Sequence, residues 1–266
     1  MTNTRSEGDV PSSQRTEATS ARTAIVTGSA SGIGRATVLE LARHGYRTVG
    51  LDLDADGVQA VAQEASVIGG SSHLGLRADV TQEAEVVAAF EQALAFLGRL
   101  DALVTSAGVG ETTPFMDIDV ATFRSVYEVN VIGTFLCIRE AARRMQAGGR
   151  ICTVASVAGL RGGGLSGTAA YAASKGGVLA LTKSAARSLA AQGICVNTIA
   201  PGATYTPMIA EHWKNEAHRK RVESMSVLNR TADPSEIANG IVFLVSPQAS
   251  SVTGSTLVSD NGLMMY

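Results

Sequence analysis

From Thr23 onward the chain alternates short apolar runs of β type with longer helical patterns, and this alternation constrains its fold most strongly. The runs fall at 23–27, 47–51, 72–78, 102–105, 150–154, 195–199 and 256–258. Between them the apolar residues recur at helical spacing. Val86, Phe90, Leu94 and Leu97 share one helix face, as do Val178, Leu181, Ala185 and Leu189. Strands separated by helices pair in parallel, because a parallel neighbour needs a crossover connection. The runs seldom alternate with polar residues, as expected when helices cover both faces of a sheet. The prediction is one α/β domain over 22–266, a doubly wound parallel sheet of Rossmann type with helices on both faces. Residues 206–230 break the pattern with dense charge and are expected to form a substrate lid. Residues 1–21 are rich in Ser, Thr, Glu and Arg and are expected to form a disordered tail.

Charge and composition narrow the function. Net charge is −2, from 22 basic and 24 acidic residues evenly mixed, so no basic stripe offers itself to nucleic acid. No apolar stretch of about 18 residues is present, so no membrane span is expected. The N-terminal segment has no hydrophobic secretory core. Cys137, Cys152 and Cys195 are scattered among apolar neighbours without metal-ligand spacing. They read as buried, reduced thiols of a cytoplasmic protein, and no metal site is expected.

The first run leads directly into Gly28-Ser-Ala-Ser-Gly32-Ile-Gly34 and then a helix. Strand, glycine turn and helix start make a phosphate site, because backbone N–H groups and the helix dipole converge on an anion. The second run ends at Asp52, where a carboxylate can accept hydrogen bonds from the 2′- and 3′-hydroxyls of an adenosine ribose and would repel a 2′-phosphate. Asp54 competes for that role, and Arg35 is the nearest cation to the turn. The balance favours NAD over NADP. Asp79 and Val80 close the third run, where they either edge an adenine or cap the next helix.

Tyr171-Ala-Ala-Ser-Lys175 carries the chemistry. Positions i and i+4 share a helix face, so an ammonium can lie beside the phenol. A free tyrosine has a pKa near 10, so about one in a thousand is ionised at neutral pH. A neighbouring cation favours the phenolate, which makes Tyr171 a base toward a hydroxyl or an acid toward a carbonyl. Taken alone, the pair also describes a solvated helix face.

With these motifs in order, the chain resembles the short-chain dehydrogenase/reductase family in its single-domain form. The glycine turn and the Tyr171–Lys175 pair carry the resemblance. So do Asn130 in Tyr127-Glu-Val-Asn130, Ser156 in Val154-Ala-Ser-Val-Ala-Gly159, Pro201-Gly202-Ala-Thr-Tyr-Thr206 and Asp260-Asn-Gly262. The resemblance implies a catalytic set of Asn130, Ser156, Tyr171 and Lys175. Ser156 would hold the substrate oxygen, Lys175 the nicotinamide ribose, and Asn130 a water leading from Lys175 to solvent. A strand-end turn remains the plain alternative for Ser156, and a backbone-satisfying role the alternative for Asn130.

The resemblance also implies cofactor contacts at Gly28, Ser31, Gly32, Ile33, Gly34 and Asp52, and at Asp79, Val80, Ala107 and Gly108. Further contacts are implied at Tyr171, Lys175, Pro201, Gly202, Thr204 and Thr206. Three positions depart from the family pattern. Thr105-Ser106-Ala107-Gly108 stands for Asn-Asn-Ala-Gly, the Ser156–Tyr171 interval is slightly long, and Asp260-Asn-Gly replaces Asp-Gly-Gly. The extra residues of the long interval are expected in a flexible loop, 161–167, beside the substrate.

The expected activity is hydride transfer between NAD and a secondary alcohol or ketone. A 3-oxoacyl-carrier-protein reductase and a non-catalytic dinucleotide-binding regulator are the rival readings. The family implies a homotetramer assembled through helices near 120–146 and 170–191. Expected substrate-wall positions are 109–113, 157–167, 203–205 and the lid at 206–225, including Met208, Ile209, His212 and Trp213; for His212 and Trp213, lid packing or solvent exposure is the equal alternative.

Overall fold

The computed structural model describes residues 21–163 and 169–265. The expected tail therefore lies outside the described residues apart from Ala21, as do residues 164–167 of the loop beside the substrate. Seven strands form one parallel sheet: β1 (Thr23–Thr27), β2 (Arg47–Asp52), β3 (Leu74–Arg77), β4 (Ala102–Thr105), β5 (Arg150–Val154), β6 (Cys195–Pro201) and β7 (Thr256–Ser259). Their order is β3-β2-β1-β4-β5-β6-β7. The third run is shorter than its apolar stretch, and the second, sixth and seventh run one or two residues longer.

Sequence order reverses between β1 and β4, whose last residues Thr27 and Thr105 are direct partners. Loops leaving those two carboxyl ends diverge and open a crevice, the usual ligand position in a doubly wound sheet. Helices α1 (Gly32–Arg43), α2 (Ala55–Gly69), α3 (Glu83–Leu97), α4 (Val120–Tyr127) and α5 (Thr134–Ala142) follow in the first part of the chain. Then come α6 (Val157–Arg161), α7 (Ala169–Leu189), α8 (Pro207–Trp213), α9 (Glu216–Glu223) and α10 (Pro234–Val245).

Successive side chains of β1 enter opposite layers. Ile25 packs with Val86, Phe90, Leu136 and Ala186 from α3, α5 and α7. Ala24 and Val26 pack with Val38, Leu41, Ile237 and Ile241 from α1 and α10. All of these are buried, and each large side chain contributes about 1.5–3 kcal/mol of transfer free energy. Cys137 and Cys152 are buried as expected, and burial pushes both thiols up to about 12. Cys195, at the start of β6, is half-buried, which corrects the expectation of three buried thiols.

Between α4 and α5 the helix makes one π turn, Glu128–Gly133. Asn130 sits inside it, with no exposed surface. Single π turns within α-helices concentrate at functional sites.

His73 joins β2 to the segment before β3. Its Nδ1 accepts the Thr48 backbone N–H at 3.2 Å and lies 2.7 Å from Thr48 Oγ1. Burial, with Arg47 nearby, lowers its pKa from 6.5. The folded state therefore binds this proton less readily than the unfolded chain. The stability it contributes is complete above about pH 6.5 and is lost as the pH falls through the lowered folded pKa. Urea midpoints are expected to drop on acidification over that window and to drop less in His73→Asn. An identical acid loss in both proteins would assign the effect to other groups.

Candidate active site

The glycine turn is shaped by close backbone approaches. Gly28 has φ +65°, and a Cβ there would lie 2.6 Å from the Ala107 backbone. The loops after β1 and β4 thus stand back to back. In the first turn of α1, a Cβ on Gly34 would come within 2.0 Å of the Gly28 carbonyl oxygen. Gly32, at φ +55°, faces Thr206. The N-cap of α1 is Ser31, whose side chain makes no capping hydrogen bond, and its first turn has no acidic residue. By contrast, Asp54, Asp119 and Asp233 cap α2, α4 and α10 with their carboxylates. The start of α1 keeps its donors for an anion, so a cofactor pyrophosphate fits here.

A cleft of about 330 Å³ runs from this turn along the carboxyl ends of the strands. Gly28, Ser31, Gly32 and Ile33 line one end, with Asp52, Asp79 and Val80 beyond them. Asp52 Oδ2 accepts the Ala30 N–H at 2.9 Å, and Oδ1 accepts the Asp54 N–H at 3.1 Å. Asp54 spends its own carboxylate on Gly57 N as the α2 cap, so the two acids separate into distinct tasks. Arg35 is drawn onto Glu64 at 2.5 Å, and Arg77, the register partner of Asp52, onto Glu85 at 3.0 Å. Asp79 is not the cap of α3; that residue is Gln82. Its Oδ1 instead accepts the N–H and hydroxyl of Thr81.

At the other end, Ser156, Tyr171 and Lys175 line the same cleft with Ala107, Gly108, Pro201, Thr204 and Thr206. Ser156 stands two residues past β5 and caps α6, accepting the Ala158 N–H at 3.1 Å, so the strand-end turn and the cleft position are one arrangement. Tyr171 and Lys175 project from one face of α7. Burial pushes the Tyr171 phenol above 10, and a hydrogen bond with Ser156 pulls it partly back. Burial also lowers Lys175 from 10.5 to about 8. The ammonium lies 5.8 Å from the phenol ring centroid and donates to the Val154 carbonyl at 2.9 Å. The Ser156 hydrogen bond favours the phenolate against the effect of burial.

Asn130, Gly34 and Gly202 stand behind the cleft wall. The Asn130 amide clamps Val109, accepting its N–H at 2.8 Å and donating to its carbonyl at 3.0 Å, and donates to Ser174 Oγ at 2.9 Å. Both amide protons are used. The backbone-satisfying alternative therefore describes its side chain as seen here. Gly202 passes so close to Asp260 that a Cβ would meet its Cα at 2.8 Å. Asn261 takes φ +57°, and its Nδ2 donates to the Arg230 carbonyl at 3.0 Å. The departure from Asp-Gly-Gly thus adds a tie between the chain end and the lid. Thr105 Oγ1 is buried without a hydrogen-bond partner, the local consequence of lacking the usual asparagine.

Within the lid, Met208 and Ile209 of α8 line the cleft. Trp213 faces away: it is buried, and its Nε1 donates to Thr231 Oγ1 at 3.1 Å. The His212 side chain lies outside the described residues. Leu53, which no sequence signal marks, also lines the cleft, as do Val129 and Val154, which lie within the sequence motifs but have no assigned role of their own. They are ordinary apolar residues that the topology happens to deliver there.

A doubly wound sheet with this cleft defines a dinucleotide-binding oxidoreductase architecture. The comparisons agree with it. Residues 28–264 match a family described as Enoyl-(Acyl carrier protein) reductase. The chain is 41% identical over 249 residues to cis-4-hydroxycyclohexanecarboxylate dehydrogenase of Sinomonas cyclohexanicum, covering 92% of this chain and 98% of that one. It is 41% identical over 249 residues to the uncharacterized short-chain type dehydrogenase/reductase y4vI of Sinorhizobium fredii. That match takes in 91% of this chain but only 44% of the longer relative. A crystal structure of a short-chain type dehydrogenase/reductase from Mycobacterium marinum superposes with a TM-score of 0.87 at 30% identity, covering 92% and 96% of the two chains. The chain belongs to the short-chain dehydrogenase/reductase family and is an oxidoreductase of a nicotinamide cofactor. Among the described residues no helix is long and apolar enough to cross a membrane.

Proposed function

We propose that this protein is an NAD-dependent dehydrogenase/reductase of a small secondary alcohol or ketone. The observation that carries the reading is the placement of Ser156, Tyr171 and Lys175 in the cleft that also holds the glycine turn and Asp52. Gly28, Ser31, Gly32 and Ile33 would hold the pyrophosphate, and Asp52 the adenosine ribose. Asp79 and Val80 would edge the adenine. Ala107, Gly108, Pro201, Thr204 and Thr206 would surround the nicotinamide, with Gly202 behind Pro201 and Lys175 on the ribose. When bound, this cofactor accepts or donates the hydride. Ser156 positions the substrate oxygen; the Tyr171 phenolate takes a proton from an alcohol, and in reverse its hydroxyl gives one to a carbonyl.

Val109, Met208 and Ile209 make the substrate end apolar and suit a carbon skeleton with few charges. An alicyclic alcohol fits this description, in line with the cyclohexane substrate in the name of the Sinomonas relative. The lid, 206–230, closes over it. Arg219 and Lys220 of α9 pair with Glu223 and Glu216, which weakens the basic rim that an acidic carrier protein would need. Exposed Tyr127, Ile132 and Phe135 on the α4–α5 face support assembly into a homotetramer.

The test is reduction of NAD and of NADP with a panel of cyclohexanols, aliphatic secondary alcohols, diols, sugars and hydroxysteroids. NAD is expected to be preferred, because Arg35 and Arg77 are both turned onto glutamates. Asp52→Ala is expected to narrow kcat/KM discrimination by about tenfold, the worth of one charge-assisted hydrogen bond. Unchanged discrimination would remove Asp52 as the selector.

A further inference from the structure

Ser174 lies in α7 between Tyr171 and Lys175, with 0% exposure. A serine inside a helix commonly satisfies its hydroxyl on a carbonyl one turn back. Ser174 does so, donating from Oγ to the Tyr171 carbonyl at 2.7 Å. Its only proton is thereby committed, and its lone pairs remain to accept. Asn130 Nδ2 donates to them at 2.9 Å. The second Asn130 amide proton goes to the Val109 carbonyl, and Oδ1 takes the Val109 N–H. A continuous path of hydrogen bonds thus leads from Val109, on the cleft wall, through the π turn to the backbone of Tyr171. Gly108 shows how tightly these parts meet: a Cβ there would lie 3.1 Å from Asn130 Oδ1 and 3.4 Å from Lys175 Nζ.

We propose that Ser174 is a positioning residue that fixes the Tyr171 turn of α7 to the loop after β4, through Asn130. The kinetic part of this assignment rests on the dehydrogenase reading above. Ser174 touches neither substrate nor cofactor; it sets the relative placement of the phenol and the Val109 wall. Alanine at this position keeps the helix but removes the acceptor, leaving a buried Asn130 N–H without its partner. The amide then has reason to turn, and Val109 loses its clamp. Misplacing reacting groups by about an ångström can cost about a hundredfold in rate.

Thr182 provides the comparison. It stands on the same helix with 1% exposure, donates to the Val178 carbonyl at 2.8 Å and meets Thr153 Oγ1 at 2.7 Å. The local pattern matches that of Ser174, but the partner belongs to β5 and not to the cleft wall. Ser174→Ala is expected to lower kcat by about tenfold or more while leaving KM for the dinucleotide within about twofold. Thr182→Val is expected to lower the melting temperature yet keep kcat within about twofold.

A second readout needs no turnover. Amide hydrogen exchange of the cofactor-free protein is expected to accelerate over 106–113 in Ser174→Ala and to stay unchanged in Thr182→Val. Unchanged exchange in Ser174→Ala overturns the link, and faster exchange with intact kcat overturns the positioning role. Failure of the wild-type protein to turn over any panel substrate overturns the dehydrogenase reading and the kinetic role with it. The exchange comparison still decides the link itself. If Ser174→Ala does not fold, Ser174→Cys, of similar volume but with a poorer donor and acceptor, carries the same comparison.

Discussion

Tyr171→Phe is expected to reduce kcat by about 10²–10⁴-fold while dinucleotide affinity stays close to that of the parent protein. The substitution deletes one oxygen and keeps the ring, so the packing of α7 is preserved. What is lost is the hydroxyl assigned to exchange a proton with the substrate oxygen at the Ser156 position. Burial holds the phenol above 10 before any cofactor arrives, so the neutral, proton-donating form dominates at neutral pH. Reduction of a carbonyl starts from that form directly. Oxidation needs the phenolate, and the positive charge of an oxidised nicotinamide would help to form it. The two directions should therefore differ in pH dependence, with oxidation rising more steeply toward alkaline pH. Steady-state kinetics and equilibrium binding of reduced dinucleotide check the variant. Turnover within tenfold of the parent would dismiss Tyr171 as the proton-transfer group.

Gly34→Ala is expected to weaken dinucleotide binding by at least about a hundredfold and to lower the melting temperature. The added Cβ would come within 2.0 Å of the Gly28 carbonyl oxygen, which is backbone and cannot swing aside. Gly28 has no room to retreat, because it already abuts Ala107. The start of α1 must move away, and its N–H groups then no longer converge on one anion. Gly70→Ala is the control. Gly70 has a left-handed conformation, φ +63°, which Gly34 does not, but a Cβ there meets nothing within 4 Å. Its cost should be limited to about 1 kcal/mol of backbone strain, with binding intact. Unaltered affinity in Gly34→Ala would show that the turn does not hold the phosphates.

Much of this architecture is legible in the chain because its signals are local. Ile25, Leu103 and Ile151 lie in apolar runs bounded by turns, and a strand covered on both faces can look no other way. The Gly28–Gly34 spacing and the Tyr171–Lys175 interval are likewise short-range, so helix geometry alone brings their groups to the cleft. What escaped is long-range. Asn130 and Ser174 are 44 positions apart, and their contact depends on α5 and α7 packing against the same sheet face. The separation of Asp52 from Asp54 depended on which carboxylate caps α2, which residue type alone does not decide. Trp213 reads equally as a substrate contact or as lid packing, and burial in the lid's own core settles it as the latter.

The π turn at Glu128–Gly133 has one more consequence. An α-helix advances about 100° per residue, so a single extra residue in one turn shifts the phase of everything beyond it. The helix through 120–142 is therefore two half-helices set out of step, and no single helical wheel describes it. Upstream, Val126 turns inward; downstream, Leu136, Cys137 and Ile138 enter the sheet-facing core. An alignment that closes this turn by a one-residue gap would assign every upstream side chain to the wrong neighbour while leaving the downstream ones correct. For this stretch, register rather than residue identity carries the structural information.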